Sequence, residues 1–82
     1  MHTKTYTITV NAREKTVTTP IVTFDQVVGM AFPNSPPDAN VEFSMTFRHA
    51  ASKPRQGELA AGGSVEVKVE GTVFNVTRTV KS

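Results

Sequence analysis

Two stretches near the start of the chain alternate apolar and polar residues, the pattern of a β-strand with one buried face. The apolar residues of the first stretch share one parity: Tyr6, Ile8 and Val10. Asn11-Ala12-Arg13 then interrupts the alternation, and asparagine tolerates the left-handed backbone that a tight turn needs. We therefore expect a strand over residues 5–10 to return as an antiparallel strand over 15–19.

A different period begins at Thr23. The apolar residues that follow recur at helical spacing and share one face: Phe24, Val27, Val28 and Ala31, with Phe32 beside them. Thr23 and Gln26 fit a capping box, and Asp25 suits the positive end of the helix dipole. Pro33 ends the helix. Because so short a helix with β-branched valines is unstable alone, we expect it to pack on a sheet.

The second half of the chain returns to the period of strands. The clearest strand covers 41–48, with four apolar residues on one face: Val41, Phe43, Met45 and Phe47. An irregular connection follows over 49–63, and alternation resumes in 65–69 and again in 73–78, with Gly71 at a turn between them. We expect these last two runs to form a closing hairpin, and Phe43 and Phe47 to lie under the helix.

The size and composition of the chain narrow its class. The 82 residues suit one small domain, spanning 1–82. There is no cysteine, so disulfides and thiolate metal sites are excluded. No run of apolar residues reaches membrane-spanning length and no secretory leader is recognisable, which predicts a cytoplasmic protein. The formal net charge of +2 implies no field that would select nucleic acid or a membrane surface.

The residues that could carry chemistry are few and scattered. The most basic cluster lies beside a loop, where such residues are ordinarily solvated: Arg48, His49, Lys53 and Arg55. No aromatic residue has the outward parity of a strand, which disfavours nucleic-acid binding. His2 and His49 are the only histidines, and neither has metal-ligand spacing. We predict no cofactor, no metal and no enzymatic activity.

Four groups of segments resemble those of a known family: Lys4–Asn11 with Arg13–Lys15, Val27–Pro33 with Pro36–Asp38, Phe43–Arg48, and Gly62–Val69 with Phe74–Thr77. They look like the bacterial multiubiquitin domain, a ubiquitin-like module found singly or in tandem repeats. The resemblance implies an α+β fold, the ubiquitin-like β-grasp, in ββαβββ order, with one helix packed across a mixed sheet. It also implies that the first and last strands are parallel neighbours at the sheet centre.

The function that the resemblance implies is that of a protein modifier. Its C-terminus would be activated by an adenylating enzyme, passed to a carrier enzyme and trimmed by a JAB-type metallopeptidase. The implied conjugation or processing tail is Thr79, Val80, Lys81 and Ser82. The ubiquitin pattern of a terminal Gly-Gly is missing. Three explanations remain open: a natural end elsewhere, a system that accepts another terminus, or a module that is not conjugated.

The recognition surface is expected on the outward face of the sheet. Its predicted residues are polar: Thr5, Thr7, Thr9, Ser44, Thr46, Arg48, Glu66 and Lys68. We single out Arg48, Thr46 and Lys68 as candidates for partner binding, although outward threonine is also ordinary strand composition. Two alternatives stay open. One is a non-conjugated docking module. The other is self-assembly through sheet edges, which Lys15 on the second strand partly guards, so the expected state is a monomer or weak self-association.

Overall fold

The computed structural model describes residues 4–34 and 39–80. These residues form strands and one α-helix in the following order: β1 (Tyr6–Val10), β2 (Arg13–Val17), β3 (Ile21–Thr23), α1 (Phe24–Ala31), β4 (Val41–Arg48), β5 (Gly57–Glu58), β6 (Ser64–Glu66) and β7 (Glu70–Val80). The architecture is a small α+β fold with a mixed sheet, compatible with a ubiquitin-like β-grasp.

The main sheet has five strands in the order β2-β1-β7-β4-β5. β1 and β7 pair in parallel at its centre, as the resemblance implied, and the other neighbours are antiparallel. Gly71 has a φ of 101° and lies where the β1–β7 register shifts, so it is a bulge residue rather than the turn of a hairpin. β7 therefore pairs with β1 on one side and with β4 on the other.

The predicted closing hairpin is wrong. β6 covers only Ser64–Glu66 and pairs with β3 in a separate two-stranded sheet, while β7 pairs with β1 and β4. The alternation of the 65–69 run placed Val65 and Val67 in the core correctly, but Val69 is 52 % exposed. An apolar period determines which face of a strand is buried and does not determine its pairing partner. The structure also contains two short strands, β3 and β5, that the predicted ββαβββ order does not include.

The first hairpin is tighter than predicted. Asn11 and Ala12 have φ values of 50° and 68°, which gives a two-residue turn of the type that suits hairpins. β2 consequently begins at Arg13 and ends at Val17, two residues earlier than the predicted 15–19. This register places Arg13, Lys15 and Val17 opposite the inward residues of β1.

The helix begins with the predicted capping box. The N–H of Gln26 donates to the Thr23 hydroxyl at 3.2 Å, and the Gln26 side chain accepts from the N–H of Thr23 at 2.9 Å. Asp25 lies in the first turn, and Phe32 is the C-cap. Both predicted ends are therefore confirmed to within one residue. The helix contacts β1 and β7, so it lies against the centre of the main sheet.

The core joins residues from both sheets and the helix: Ile8, Val10, Val22, Phe24, Val27, Met45, Phe47, Ala50, Val65, Val67, Phe74 and Val76. The predicted inward parity of β4 is confirmed, because Met45 and Phe47 are buried and the residues that alternate with them, Ser44, Thr46 and Arg48, are exposed. Phe43 is half-buried, with its ring centroid 5.5 Å from that of Phe32 at the end of the helix. Phe47 lies beside Gly57 of β5.

Candidate functional site

β7 is the structural feature from which any C-terminal chemistry must start. Its register with β4 is unbroken from Val73 opposite Arg48 to Val80 opposite Val41. On its other side, β1 accompanies it only as far as Phe74, which pairs with Val10. Val73 and Phe74 therefore have a strand neighbour on both sides, whereas the start of β7 pairs with β1 alone and its last residues pair with β4 alone.

Asn11 extends the contact between β1 and β7 beyond the end of β1. Its N–H donates to the Phe74 carbonyl at 3.0 Å. Its side-chain amide donates from Nδ2 to the Val76 carbonyl at 3.0 Å and accepts, through Oδ1, the Val76 N–H at 2.8 Å. One side chain thus satisfies both backbone groups of Val76, which in a continued parallel ladder would bond to two different residues of β1. Asn11 fixes the turn and the C-terminal strand together.

Thr72 ties the start of β7 to two other segments. It is fully buried, the one buried polar side chain among the described residues. Its hydroxyl accepts the N–H of Lys68 at 3.0 Å and donates to the carbonyl of His49 at 2.8 Å. The hydroxyl therefore uses both its donor and an acceptor position. This one oxygen atom joins the segment after β6, the residue that follows β4 and the start of β7.

The predicted tail is in part a strand. Thr79 and Val80 belong to β7 and stand opposite Glu42 and Val41. These two positions are extended strand, because β4 is long enough to pair with β7 up to Val80. Val80 is nonetheless 57 % exposed. Lys81 and Ser82 lie outside the described residues.

Two of the three candidate binding residues share the outward face of the main sheet. Thr46 and Arg48 are exposed on β4, two positions apart. Their partners on β7 are Asn75 and Val73, and Thr46 also faces Glu58 on β5. This surface is polar except at Val73, which is half-buried. It can offer hydrogen bonds and one guanidinium group to a partner.

Lys68 and Glu66 do not lie on that sheet. Glu66 belongs to β6 of the small sheet, and Lys68 follows β6 in an irregular segment. The expectation that they share a face with Thr46 is corrected, because β6 pairs with β3 rather than with β7. Lys68 still comes near the end of β4, since Thr72 links its N–H to the His49 carbonyl.

Among the grooves that the described residues form, two lie along the edges of the main sheet. One, of about 450 Å³, lies along β4 where the short β5 leaves its edge open, and includes Phe43, Thr46 and Leu59. The other, of about 370 Å³, lies between β2 and the end of the helix and includes Arg13 and Lys15. In residues 4–34 and 39–80, no group of three or more His, Cys, Asp or Glu side chains could hold a metal ion.

Asn11 and Thr72 are the structurally central polar residues that sequence reasoning missed. The sequence identified Asn11 as a turn residue only, since nothing local reveals that its amide reaches Val76, 65 positions away. Thr72 carries a weak signal: it is a polar residue between Gly71 and Val73 at the start of an apolar run. Its burial becomes clear only when the β1–β7 register is known.

The described part of the chain contains no helix that is long and apolar enough to cross a membrane. Among families of known proteins, a family model described as Multiubiquitin matches the chain over residues 6–80. The match begins with β1 and ends with β7, so it covers all the strands and the helix that the structure describes. No curated protein and no solved structure matches the chain.

Proposed function

The chain belongs to the multiubiquitin family, and from that membership we propose that it is a ubiquitin-like protein modifier, or one unit of a tandem multiubiquitin array. In this proposal partner enzymes act on its C-terminus in a bacterial ubiquitination-like pathway in the cytoplasm. The observation that carries it is the match from β1 to the end of β7. The domain itself would not be an enzyme.

Three partners would supply the catalysis. An adenylating enzyme would join the terminal carboxylate to the α-phosphorus of ATP and release pyrophosphate. A cysteine thiolate would then attack the acyl carbon, release AMP and form a thioester, which passes to a carrier enzyme. A JAB-type metallopeptidase would cleave the peptide bond where the natural C-terminus must be uncovered. The modifier would contribute a rigid body, a docking surface and the carboxylate.

The central position of β7 supports such a role. β1 pairs with the first part of the strand and β4 pairs with the rest up to Val80, so the sheet fixes the direction of the strand at Val80. The reacting segment must be extended to enter a narrow active site, and the end of a strand is already extended. Since β1 no longer accompanies Thr79 and Val80, opening this end costs less than opening the middle of the strand.

The test is reconstitution with candidate adenylating and carrier enzymes of bacterial ubiquitination-like pathways, in the presence of ATP. Pyrophosphate exchange reports adenylation, and intact-mass spectrometry reports the thioester adduct. We expect both signals, and expect a metallopeptidase to change the mass by cleavage in or after the segment Thr79 to Ser82. Absence of exchange, adduct and trimming with every enzyme combination would overturn the proposal.

A second test asks whether Arg48, on the outward face of the main sheet, takes part in docking to the carrier enzyme. Arg48→Ala removes the guanidinium group from this face, and we expect it to lower the rate of transfer to the carrier enzyme. Lys53→Ala is the matched control, because Lys53 is also an exposed cation and lies in the loop after β4. Equal rates for the two variants would remove Arg48 from the docking surface without affecting the adenylation result.

A non-conjugated docking module is the second candidate function, and the pairing of β7 up to Val80 favours it. Thr79 and Val80 pair with β4, so these two residues belong to the sheet and do not form a mobile tail. Deletion of Lys81 and Ser82 leaves every described strand intact. Partner binding that survives this deletion, measured by native mass spectrometry, would support docking; loss of binding would support chemistry at the C-terminus.

A further inference from the structure

β2 is an edge strand of the main sheet, so the backbone groups on its outer side have no neighbouring strand in the sheet. Thr7 donates its N–H toward the segment leading into β7, so the odd-numbered residues of β1 face β7 and Ile8 faces β2. Ile8 and Lys15 therefore form a hydrogen-bonded pair, and the backbone groups of Glu14 and Thr16 point away from the sheet. This edge can accept one more strand.

The side chains beside this edge form a cationic groove. Arg13 and Lys15 lie on the helix side of β2, opposite the core residues Val10 and Ile8. The groove of about 370 Å³ is closed by three residues at the end of the helix: Met30, Ala31 and Pro33. Neither Arg13 nor Lys15 forms an ion pair with a residue that the structure describes. Two like charges thus face one partly apolar groove.

We propose that the β2 edge binds an extended acidic peptide segment, which adds to the main sheet as an antiparallel sixth strand. Its backbone would pair with Glu14 and Thr16, and its carboxylates would face Arg13 and Lys15. Backbone pairing of this kind supplies affinity, and the side-chain pattern supplies specificity. The proposal goes beyond the proposed function, since β1 separates this edge from β7 and the binding uses no C-terminal group.

The charge of the groove selects this occupant over others. A second copy pairing through its own β2 would bring Arg13 and Lys15 of one copy toward those of the other, and like charges across a strand pair are destabilising. A purely apolar strand would bury the charge of Lys15 without neutralising it, which is unfavourable. An inward-pointing charge commonly protects a sheet edge from such pairing. An acidic strand neutralises both cations and keeps the backbone pairing.

The register predicts the spacing of the acidic residues. Arg13, Lys15 and Val17 share one face of β2, whereas Glu14 occupies the other. An antiparallel partner should therefore present one apolar residue and two acidic residues at alternating positions, with neutral residues between them next to Glu14. The probe is the capped peptide Thr-Val-Thr-Asp-Thr-Asp-Thr. Its isomer Thr-Val-Thr-Thr-Asp-Asp-Thr has the same charge but directs one aspartate to the wrong face.

The experiment is a titration of the full, isotope-labelled chain with each peptide, followed by amide chemical shifts. We expect the amide signals of Glu14 and Thr16 to move most, and the isomer to bind about tenfold more weakly. Arg13→Glu should weaken binding of the first peptide by about tenfold or more, while Lys53→Glu, with the same change in charge, should not. Arg13→Gln serves if Arg13→Glu lowers the melting temperature.

Several results would overturn the proposal. Equal affinity for the two peptides, or equal effects of Arg13→Glu and Lys53→Glu, would show that charge alone attracts the peptide. A peptide methylated on the backbone nitrogens that face β2 should lose binding, and unchanged binding would exclude strand addition. Concentration-dependent shifts of Glu14 and Thr16 without peptide would identify a second copy as the occupant. Largest shifts around Arg48 would place the peptide on the outer face.

Discussion

Replacing Asn11 by glycine should separate the side-chain contacts of this residue from its role in the turn. Glycine adopts the positive φ of 50° found at this position without steric strain. It lacks the amide that donates to the Val76 carbonyl and accepts from the Val76 N–H. The substitution therefore keeps the hairpin and removes the bridge to β7.

The magnitude follows from two partly buried hydrogen bonds. Each contributes about 0.5–1.5 kcal/mol net, and a backbone group left without a partner adds to the loss. We expect Asn11→Gly to lower the free energy of unfolding by about 2 kcal/mol. In a domain of this size that corresponds to a decrease in melting temperature of roughly 8–16 °C. Asn11→Ala should cost about 1 kcal/mol more than glycine, because alanine is strained at positive φ.

The measurement combines urea unfolding with amide hydrogen exchange. Unfolding gives the total loss, and exchange shows where it occurs. The amide of Val76 should exchange faster relative to the amides of the β1–β7 centre, since Asn11 is its acceptor. Asn75→Ala is the matched control, because Asn75 directly precedes Val76 and lies on the exposed face of β7. We expect it to stay within about 0.5 kcal/mol of the original chain.

The reasoning is refuted if Asn11→Gly is as stable as Asn75→Ala. It is also refuted if the Val76 amide exchanges as slowly in Asn11→Gly as in the original chain. Either result would mean that the end of β7 is held by β4 alone. Instability shared equally by every amide would indicate that the bridge contributes to global rather than local stability.

Three further predictions concern the turn, the buried hydroxyl and the core. Ala12→Gly should raise the free energy of unfolding by about 0.5–1 kcal/mol in a urea titration, because Ala12 has a φ of 68°; a decrease would contradict the turn geometry. Thr72→Val should cost about 2–3 kcal/mol, because it leaves the Lys68 N–H and the His49 carbonyl unpaired, and Thr72→Ser should retain more of the stability. Phe47→Ala should cost about 3–5 kcal/mol in the same assay, and an unchanged midpoint would contradict its burial.

The alternation along the chain was sufficient to predict most of the main sheet and the helix. The inward residues of β1 and β4 follow from a period of two, and Thr23 with Gln26 marks the start of the helix. The pairing of β6 could not be predicted in this way. Its apolar residues are buried against the same core in either arrangement, so the pattern does not distinguish a hairpin with β7 from a ladder with β3.

The candidate site was predictable only where it depends on a single strand. Thr46 and Arg48 are exposed because they alternate with Met45 and Phe47 on β4. Lys68 was misplaced because its position depends on the pairing of β6, and the bridge of Asn11 depends on a parallel register between distant segments. Such contacts arise from the tertiary fold, which a local period does not describe.

The two proposed functions use different strands of one sheet and can be separated by mutation. Chemistry at the C-terminus requires the end of β7, where Val80 faces Val41, whereas peptide binding requires the open edge of β2 at Arg13. Arg13→Glu should therefore reduce peptide binding while adduct formation with the adenylating enzyme continues. Deletion of Lys81 and Ser82 should have the reverse effect. If each change abolished both activities, the β2 edge would itself be part of the surface that the enzymes recognise.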